Sequence, residues 1–376
     1  MTDPKKSRRR RRAGAAVLGA VLALLAGEAA LRAFFPMGAC LLASDRYRTA
    51  ENPEIGYELL PLAMGANRDG LRERERSVDK PEGVVRVLAL GDSVAYGWGV
   101  ERDQAWPGAL ERLLNQGRPG PGRFEVLNLG VPGYGIGQIV ERFREKGIKY
   151  RPDLVVYGFW LDDASRGFDS IEQALFEGRR NRDLFSTSPW GRWAASQAVR
   201  LQITRRILLL VRRVRAAREA GKLAESGVPA LRISPGVLAA WADFSRRYAR
   251  GEIQEAAASE PYFRAFANLP TFVPWNQRMA ELARLCRDLG APCVVLLTPA
   301  FVDTEAGAYP FRALNAFVSR IAELHGMRVL DATAAFAGIP PREAGIGDQE
   351  HPSPTGHGII ARELAGFLRR EFPGLF

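Results

Sequence analysis

Residues 84–99 read VVRVLALGDSVAYGWG, and this stretch decides the fold. Its first half, Val84–Leu90, is apolar almost throughout, which is typical of a strand buried on both faces of a parallel sheet. Its second half turns at Gly91 and leads through a short loop into a helical segment. A buried strand followed by a glycine turn and a helix predicts an α/β arrangement.

Four more runs along the chain have the same apolar character, and segments with helical spacing of apolar residues separate them. The further strands are predicted at Phe124–Leu129, Leu154–Phe159, Cys293–Leu297 and Met327–Leu330. The clearest helices are predicted at Trp106–Leu114, Ile139–Lys146, Asn276–Leu289 and Arg312–His325. Strands that alternate with helices predict an α/β fold with an open, doubly wound parallel sheet of five strands, an α/β/α sandwich.

Two segments fall outside this alternation. Residues 36–82 are polar and contain turn signals such as Asn52-Pro53, so we expect a stem ahead of the domain at 83–376. Residues 163–274 are predicted to be a helical insertion between the third and fourth strands. Its most regular part, residues 189–220, is rich in arginine around an apolar run. We expect a solvated basic helix packed on the core, with a lid or a membrane-apposed helix as the alternative.

The N-terminus combines a basic run with an apolar one. Residues 1–12 hold seven basic residues, and residues 13–35 read AGAAVLGAVLALLAGEAALRAFF. Glu28 and Arg32 lie one helical turn apart and can pair, so the helix can continue through them. The pattern predicts a cytoplasmic tail, a single-pass signal anchor in the cell membrane and an extracytoplasmic remainder. A cleaved signal peptide followed by secretion is the alternative.

The formal net charge of +11 raises the question of nucleic-acid binding. Residues 1–12 account for +6 of it, so only +5 is spread over the rest of the chain. A mild excess without a recognised binding module does not indicate a phosphate-binding surface, and we expect no nucleic-acid partner. Three cysteines, Cys40, Cys286 and Cys293, are too few for a disulfide framework.

Ser93 and Gly130 follow the first and second predicted strands. Because ligands bind at the carboxyl ends of parallel strands, a serine in Gly91-Asp92-Ser93 is placed to attack a bound group. The second strand leads into NLGVPGYG, where Gly130 can present a backbone N–H to the same rim. Each feature has an ordinary explanation when taken alone, a chance tripeptide for the first and a tight turn for the second.

The segment Asp348–His357 reads DQEHPSPTGH and lies just before a terminal helix. An acid three residues ahead of a loop histidine can hold the imidazole in the tautomer that accepts a serine proton. His351 is therefore a candidate base, and Asp348 is its candidate orienter. His357 is expected to begin the last helix and support the loop. The remaining histidine, His325, ends an amphipathic helix with no acid placed to orient it.

Together these motifs resemble the SGNH hydrolase superfamily, also called the GDSL esterase and lipase family, over roughly Gly83–Phe376 without the insertion. The shared features are GDS after the first strand, N-x-G after the second, a polar pair after the third and DxxHP near the C-terminus. The stem residues ENPEIGYELLP and NRDGLR are similar to those that precede the domain in bacterial membrane-anchored members. The resemblance implies a flavodoxin-like sheet with Ser93 as nucleophile, His351 as base and Asp348 as orienter. It also implies that the N–H groups of Ser93 and Gly130 form the oxyanion hole.

One position departs from that family's pattern. After the third strand the family places an asparagine whose amide donates to the oxyanion, but here the residues read GFWLDD and Asp162 stands at that position. An ionised carboxylate cannot donate a hydrogen bond and repels an oxyanion, and losing one such donor costs about 100-fold to 1000-fold in turnover. Three possibilities stay open: Asp162 is held protonated, the two backbone donors suffice, or catalysis is weak.

The sequence therefore predicts a serine ester hydrolase that acts through an acyl-enzyme on an ester-bearing lipid, glycan or small molecule. No cofactor is expected, and no metal, because no group of His, Cys or Asp residues has metal-ligand spacing. Two alternatives use the same fold: an O-acyltransferase acting on an envelope polysaccharide, and a catalytically inactive binding protein.

Overall fold

The computed structural model describes residues 4–34, 46–52, 54–117, 123–163, 233–253, 259–302 and 309–376. The strands in these residues are β1 (Tyr47–Thr49), β2 (Tyr57–Leu59), β3 (Val85–Leu90), β4 (Phe124–Asn128), β5 (Leu154–Phe159), β6 (Cys293–Leu297) and β7 (Arg328–Asp331). The helices are α1 (Pro4–Phe34), α2 (Ser93–Tyr96), α3 (Trp106–Asn115), α4 (Ile136–Arg142), α5 (Pro235–Ala249), α6 (Glu260–Ala267), α7 (Leu269–Asp288), α8 (Arg312–Leu324), α9 (Pro341–Ala344) and α10 (Pro354–Glu371). A π-helical turn (Phe143–Gly147) and a 3-10 turn (Ile148–Tyr150) extend α4, and another 3-10 turn (Ala332–Phe336) follows β7.

Within the described residues, five strands form one sheet in the order β4-β3-β5-β6-β7, and every neighbouring pair is parallel. The domain's first strand therefore lies inside the sheet, and the chain winds from it to one edge and then to the other. This is the doubly wound, flavodoxin-like order, and it confirms the predicted fold class. Strands β5 and β6 have the predicted bounds, and the ends of β3, β4 and β7 differ from prediction by a single residue.

Alternate strand residues point to opposite faces of the sheet, and helices cover both faces. Val87 on β3 and Val126 on β4 lie in a buried apolar cluster with side chains of α3 and α10. Leu88 points the other way, and its side chain lies beside Gly147 at the end of the π-helical turn. Because both faces are covered, each strand is apolar throughout, and this is the pattern from which the strands were predicted.

The described part of the predicted stem, residues 46–52 and 54–82, folds onto the loops that follow β3 and β4. Here β1 and β2 form an antiparallel hairpin. The Tyr57 hydroxyl donates to the Pro132 carbonyl at 2.7 Å, and the side chain of Tyr57 is buried. These residues therefore belong to the same folded unit as the sheet, a unit that begins at Arg46.

The described part of the predicted insertion adds helices that join the main core. Phe244 on α5 stacks on Phe317 of α8 with ring centroids 4.2 Å apart, and Phe266 on α6 meets Trp275 of α7 edge-on at 5.0 Å. Helix α7 begins at Leu269, earlier than the predicted start at Asn276. The basic stretch at residues 189–220 lies outside the described residues.

Helix α1 is a single helix of 31 residues near the N-terminus. Among the described residues it contains one stretch, Gly14–Phe34, that is long and apolar enough to cross a membrane by its length and composition. The predicted pair inside this stretch forms, because Arg32 Nε donates to Glu28 Oε1 at 2.8 Å. A stretch of this kind near the N-terminus fits a membrane anchor and a signal sequence equally well.

Candidate active site

Ser93 lies directly after β3, at the first residue of the short helix α2. The turn between strand and helix depends on Gly91, whose φ is +153° and at which a Cβ would lie 2.8 Å from the Cβ of Ala95. Asp92 caps the helix, since its carboxylate accepts the Val94 N–H at 2.9 Å. At the first helical position the Ser93 N–H has no intrahelical acceptor, so it can donate to a bound group.

Ser93, His351 and Asp348 form one chain of hydrogen-bonding groups. Ser93 Oγ lies 2.8 Å from His351 Nε2, and His351 Nδ1 lies 2.8 Å from Asp348 Oδ2. Because an ionised carboxylate only accepts, the imidazole carries its proton on Nδ1 and leaves Nε2 to accept from the serine hydroxyl. In that protonation state a histidine can act as a general base toward serine.

The loop that carries His351 is held in place by Asp348 and by the segment after β6. Asp348 Oδ1 accepts the backbone N–H groups of His351 at 2.7 Å and of Glu350 at 3.0 Å. The Phe301 N–H donates to the Gln349 carbonyl at 2.9 Å. Burial raises the pKa of Asp348, but the hydrogen bonds from His351 and Glu350 outweigh burial and hold that pKa below its usual range. Asp348 therefore stays ionised near neutral pH.

Asn128, the last residue of β4, joins this strand to α2. Its amide nitrogen donates to the Ala95 carbonyl at 2.8 Å, and its Oδ1 accepts the Gly130 N–H at 2.9 Å. Gly130 packs so closely against α2 that a Cβ there would lie 2.4 Å from the Tyr96 nitrogen. The Gly130 N–H, expected from the sequence to be an oxyanion donor, is thus bonded to Asn128. It can reach an oxyanion only by giving up that bond.

Arg72 supports the far end of the serine loop, a role that the sequence did not reveal. Its Nη1 donates to the carbonyls of Tyr96 at 2.6 Å and Gly97 at 2.5 Å, and its Nη2 donates to the Val100 carbonyl at 2.6 Å. Burial lowers the pKa of Arg72 below its usual value. The pattern NRDGLR that contains Arg72 was the available signal, although it gave no hint of the partner.

Trp98 forms part of the rim beside the histidine. Its ring centroid lies 6.3 Å from that of His351, and the side chain is half-buried. Ile346 is 39% exposed and lies beside Gly99, where a Cβ would be 2.5 Å from Ile346 Cδ1. Trp98 and Ile346 give this part of the rim an apolar surface, and the Arg46 guanidinium lies 5.9 Å from the Trp98 ring centroid. Neither Trp98 nor Ile346 was singled out from the sequence.

Three carboxylates gather near the serine. Asp92, Asp162 and Asp163 place oxygens within 4.8 Å of one another, in the described loops that follow β3 and β5. The expectation that no metal is bound was based on spacing along the chain, and this group of aspartates leaves it a prediction. The parallel pairing of β3 with β5 joins residues that are far apart in the sequence, so spacing along the chain gave no sign of the group. Carboxylates grouped in this way repel one another unless a proton or a cation reduces their charge.

Asp163 is the carboxylate of this group whose surroundings are best defined. It is 2% exposed, and its Oδ2 accepts the Tyr157 hydroxyl at 2.6 Å and the Trp160 N–H at 3.0 Å. Burial, followed by the negative charge of Asp92, raises the pKa of Asp163 well above its usual range. Burial also raises the pKa of Tyr157, which therefore remains a protonated donor.

His357 and His325 have structural contacts. His357 Nδ1 accepts the Trp106 N–H at 3.1 Å, and burial lowers the pKa of His357 to about 3, so this histidine is neutral. Its place in the first turn of α10 is the one expected from the sequence. His325, just after α8, lies with Nε2 2.8 Å from Asn276 Oδ1. Of the three, His351 is the histidine beside the serine.

Residues 89–263 match the model of the GDSL-like lipase/acylhydrolase family. The matched segment contains Ser93, Gly130 and Asp162, whereas Asp348 and His351 lie beyond it. A search of curated proteins found no match to the chain.

Several solved structures are similar to this chain at low identity. An acetylxylan esterase from Geobacillus stearothermophilus, Axe2, is 16% identical with a TM-score of 0.40, and the match covers 76% of this chain and 93% of that one. TesA is 12% identical with a TM-score of 0.41, covering 76% and 98%. LAE5, an alpha/beta hydrolase enzyme from the metagenome of Lake Arreo in Spain, is 13% identical with a TM-score of 0.39, covering 75% and 94%. Likenesses at this level say nothing about substrate.

Proposed function

We propose that this chain is a member of the GDSL-like lipase/acylhydrolase family, whose model matches residues 89–263, and that it is a serine ester hydrolase with Ser93 as nucleophile. The observation that carries the proposal is the unbroken chain from Ser93 Oγ through His351 to Asp348, with 2.8 Å at each step. Ser93 and His351 lie 258 positions apart in the sequence, whereas His351 and Asp348 lie three apart, so the fold has to bring the serine to the other two residues. A base within hydrogen-bond reach of a serine and oriented by a carboxylate is the arrangement that acyl transfer requires.

The reaction runs in two halves. In the first, His351 Nε2 takes the proton of Ser93 Oγ as the oxygen attacks the ester carbonyl, and the resulting imidazolium gives that proton to the departing alcohol. In the second, His351 takes a proton from water as the water oxygen attacks the acyl-enzyme carbonyl, and the imidazolium then gives that proton to Ser93 Oγ as the bond to the acyl group breaks and the acid is released. Asp348 stays ionised throughout and stabilises the imidazolium each time it forms.

The developing oxyanion needs donors, and the first is the Ser93 N–H at the start of α2. The second proposed donor is the Gly130 N–H, which would exchange its bond to Asn128 for one to the oxyanion. Asp162, at the asparagine position of the family, supplies no donor while it is ionised.

The proposed location is the cell membrane. The basic tail at residues 1–12 would stay in the cytoplasm, the helix at residues 13–35 would act as a single-pass signal anchor, and the hydrolase domain would lie outside the cytoplasm. The support for this is the apolar stretch Gly14–Phe34 and the basic run that precedes it. An ester-bearing substrate in that compartment is the proposed partner, and no cofactor is required.

Hydrolysis of p-nitrophenyl acetate tests the proposal. We expect Ser93→Ala and His351→Ala to lose nearly all turnover while circular dichroism shows an unchanged fold, since both substitutions remove a reacting group rather than a core side chain. The matched control is Ser245→Ala on α5, whose hydroxyl donates to the Ala267 carbonyl at 3.2 Å and should be dispensable. Full turnover in Ser93→Ala would refute the proposed nucleophile.

A further inference from the structure

One carboxylate oxygen in the group of three aspartates beside Ser93 lacks a hydrogen-bond partner among the described residues. Asp163 Oδ2 has two donors, Tyr157 and Trp160, whereas Asp163 Oδ1 is buried and has no hydrogen-bond partner among the described residues. A buried polar atom without a partner is costly, and the cost is larger when the group carries charge. An additional proton on Oδ1 would remove the charge and turn this oxygen into a donor.

Acceptors for such a proton lie close by. Asp92 and Asp162 each place a carboxylate oxygen within 4.8 Å of one on Asp163. Asp92 is fully buried, and it already uses one oxygen to cap α2 through the Val94 N–H. Its other oxygen lies 3.4 Å from Ser93 Oγ, whose single hydroxyl proton is the one that His351 Nε2 accepts. Asp92 is therefore needed as an acceptor, and the proton belongs on its neighbour.

The balance of the groups around Asp163 favours this assignment. Burial and the negative charges of Asp92, in the turn before α2, and of Asp162, in the same loop, raise the pKa of Asp163. The hydrogen bonds from Tyr157 on β5 and from the Trp160 N–H lower this pKa, but burial and the two carboxylates outweigh them. Tyr157 donates to Oδ2 and so leaves Oδ1 as the protonated oxygen.

We infer that Asp163 is a positioning residue that works as a neutral carboxylic acid, donating a hydrogen bond from Oδ1 to the Asp92 carboxylate and so fixing the helix cap that aims Ser93 at His351. This rests on the proposed function of Ser93. A neutral Asp163 leaves one negative charge on the pair, and Asp92 keeps its bond to Val94. An ionised Asp163 would repel Asp92 and loosen the cap.

The test uses the rate at which a fluorophosphonate probe labels the full-length protein, in wild type, Asp163→Asn and Asp163→Ala. Asparagine is neutral, nearly the same shape as the acid, and offers a donor and an acceptor in the same places. We expect Asp163→Asn to keep at least about half of the wild-type rate at pH 7, and Asp163→Ala to label about 10-fold more slowly or worse. The wild-type rate should fall as the pH rises through the raised pKa of Asp163, and Asp163→Asn should lack that fall.

The matched control is Asp153→Asn, at the opposite end of β5. Asp153 accepts the Arg86 N–H at 2.7 Å and pairs with Lys80 at 2.6 Å. Its partners are a backbone N–H and a lysine rather than carboxylates, so its replacement should leave the shape of the labelling pH profile unchanged. A general effect of replacing a hydrogen-bonded aspartate at an end of β5 would appear in both variants, whereas the inferred effect is confined to Asp163.

Two results would overturn the inference. Labelling of Asp163→Asn as slow as that of Asp163→Ala would mean that an ionised carboxylate is needed. Labelling of wild type that is lost with a chelator and restored by Ca²⁺ or Mg²⁺ would mean that a cation, not a proton, holds the group together. If Asp163→Ala fails to fold, the pH profiles of wild type and Asp163→Asn decide the question.

Thermal unfolding separates this inference from the proposed function. A native state that keeps Asp163 protonated loses stability relative to the unfolded chain as the pH rises above the usual carboxyl pKa of about 4. Asp163→Asn escapes that loss, so its midpoint should rise relative to wild type by about 5 °C or more between pH 5 and pH 7. No change in this difference would overturn the inference even if Ser93 is catalytic, and the predicted change would support it even if the probe does not react.

Discussion

Replacing Asp348 by asparagine removes the charge beside His351 while keeping the loop that carries both residues. The Oδ1 atom that accepts the N–H groups of His351 and Glu350 has a counterpart in the asparagine carbonyl. The atom that faces His351 Nδ1 at 2.8 Å becomes an amide nitrogen, which is a donor. The substitution therefore isolates charge and tautomer from backbone structure.

Two effects set the size of the fall in kcat/KM that we expect for Asp348→Asn. A carboxylate and an imidazolium with charge centres about 4 Å apart attract by about 1 kcal/mol in water and about 4 kcal/mol at a protein surface. The side chain of Asp348 is 44% exposed and that of His351 13%, so we take about 2 kcal/mol, roughly 30-fold. The amide donor also opposes the proton on Nδ1, and restoring the productive tautomer costs about 1 to 3 kcal/mol more. The expected fall in kcat/KM is about 100-fold to 10,000-fold.

The assay is kcat/KM for p-nitrophenyl acetate at pH 7 in wild type and Asp348→Asn. Asp288→Asn on α7 is the control, since Asp288 is 58% exposed and pairs with Arg284 at the surface. Asp348→Ala gives a further comparison, because alanine removes the charge without adding a wrong donor. A value for Asp348→Asn within about 3-fold of wild type would refute the view that Asp348 orients and stabilises His351.

Three further predictions concern the loop after β4, the substituted oxyanion position and the topology. Gly130→Ala should lower the free energy of unfolding, measured by urea denaturation, by about 2 kcal/mol or more, because a Cβ there would lie 2.4 Å from the Tyr96 nitrogen. The control Gly137→Ala should not, because the nearest atom to its Cβ is Arg278 Nε at 3.8 Å. Equal urea midpoints for the two variants would contradict this prediction. Asp162→Asn should raise kcat for p-nitrophenyl acetate by about 10-fold if this side chain faces the oxyanion, and an unchanged rate and pH profile would remove Asp162 from the site. A reporter enzyme fused after Phe376 should be active outside the cytoplasm, and activity confined to the cytoplasm would overturn the proposed topology.

The strands could be predicted well because each carries its own signal. A strand covered on both faces is apolar at every position, and the runs that became β5 and β6 were delimited to the residue. The start of α7 was predicted wrongly, at Asn276, whereas the helix begins at Leu269 and continues through Pro274. Burial of Phe272 and Trp275 against the aromatic cluster offsets the lost hydrogen bond, and this tertiary effect has no local signal.

The candidate site divides in the same way. His351 and Asp348 lie three residues apart, and this spacing made them candidates for a base and its orienter. Taken alone, His351 was better explained as a solvated loop histidine, so the assignment also needed Ser93 after a strand and the family resemblance. The contacts of Arg72 with the serine loop and of Asn128 with α2 depend on how distant loops pack, so no spacing indicates them. The stem was predicted as a polar segment ahead of the domain. Its buried contacts are with residues that follow β3 and β4, and contacts between such distant segments leave no pattern in the stem sequence itself.

The carboxylate group illustrates what only the register of the sheet could reveal. Leu90 at the end of β3 pairs with Tyr157 on β5. This pairing brings the turn at Gly91 so close to β5 that a Cβ placed on Gly91 would lie 3.0 Å from the Gly158 carbonyl oxygen. From that pairing Asp92 and Asp163 necessarily end near each other. From the sequence Asp162 is an isolated departure from a family pattern, whereas in the structure it lies in a group of three aspartates.

The most direct test of the central claim is to find the atom that reacts. A fluorophosphonate is attacked by an activated serine oxygen, fluoride leaves, and a stable phosphonyl ester remains on that oxygen. Mass spectrometry of peptides from the labelled full-length protein should place one adduct on Ser93, formed in wild type and absent in Ser93→Ala and His351→Ala. An adduct on another serine, or labelling of folded Ser93→Ala at the wild-type rate, would contradict the assignment of Ser93 as the nucleophile.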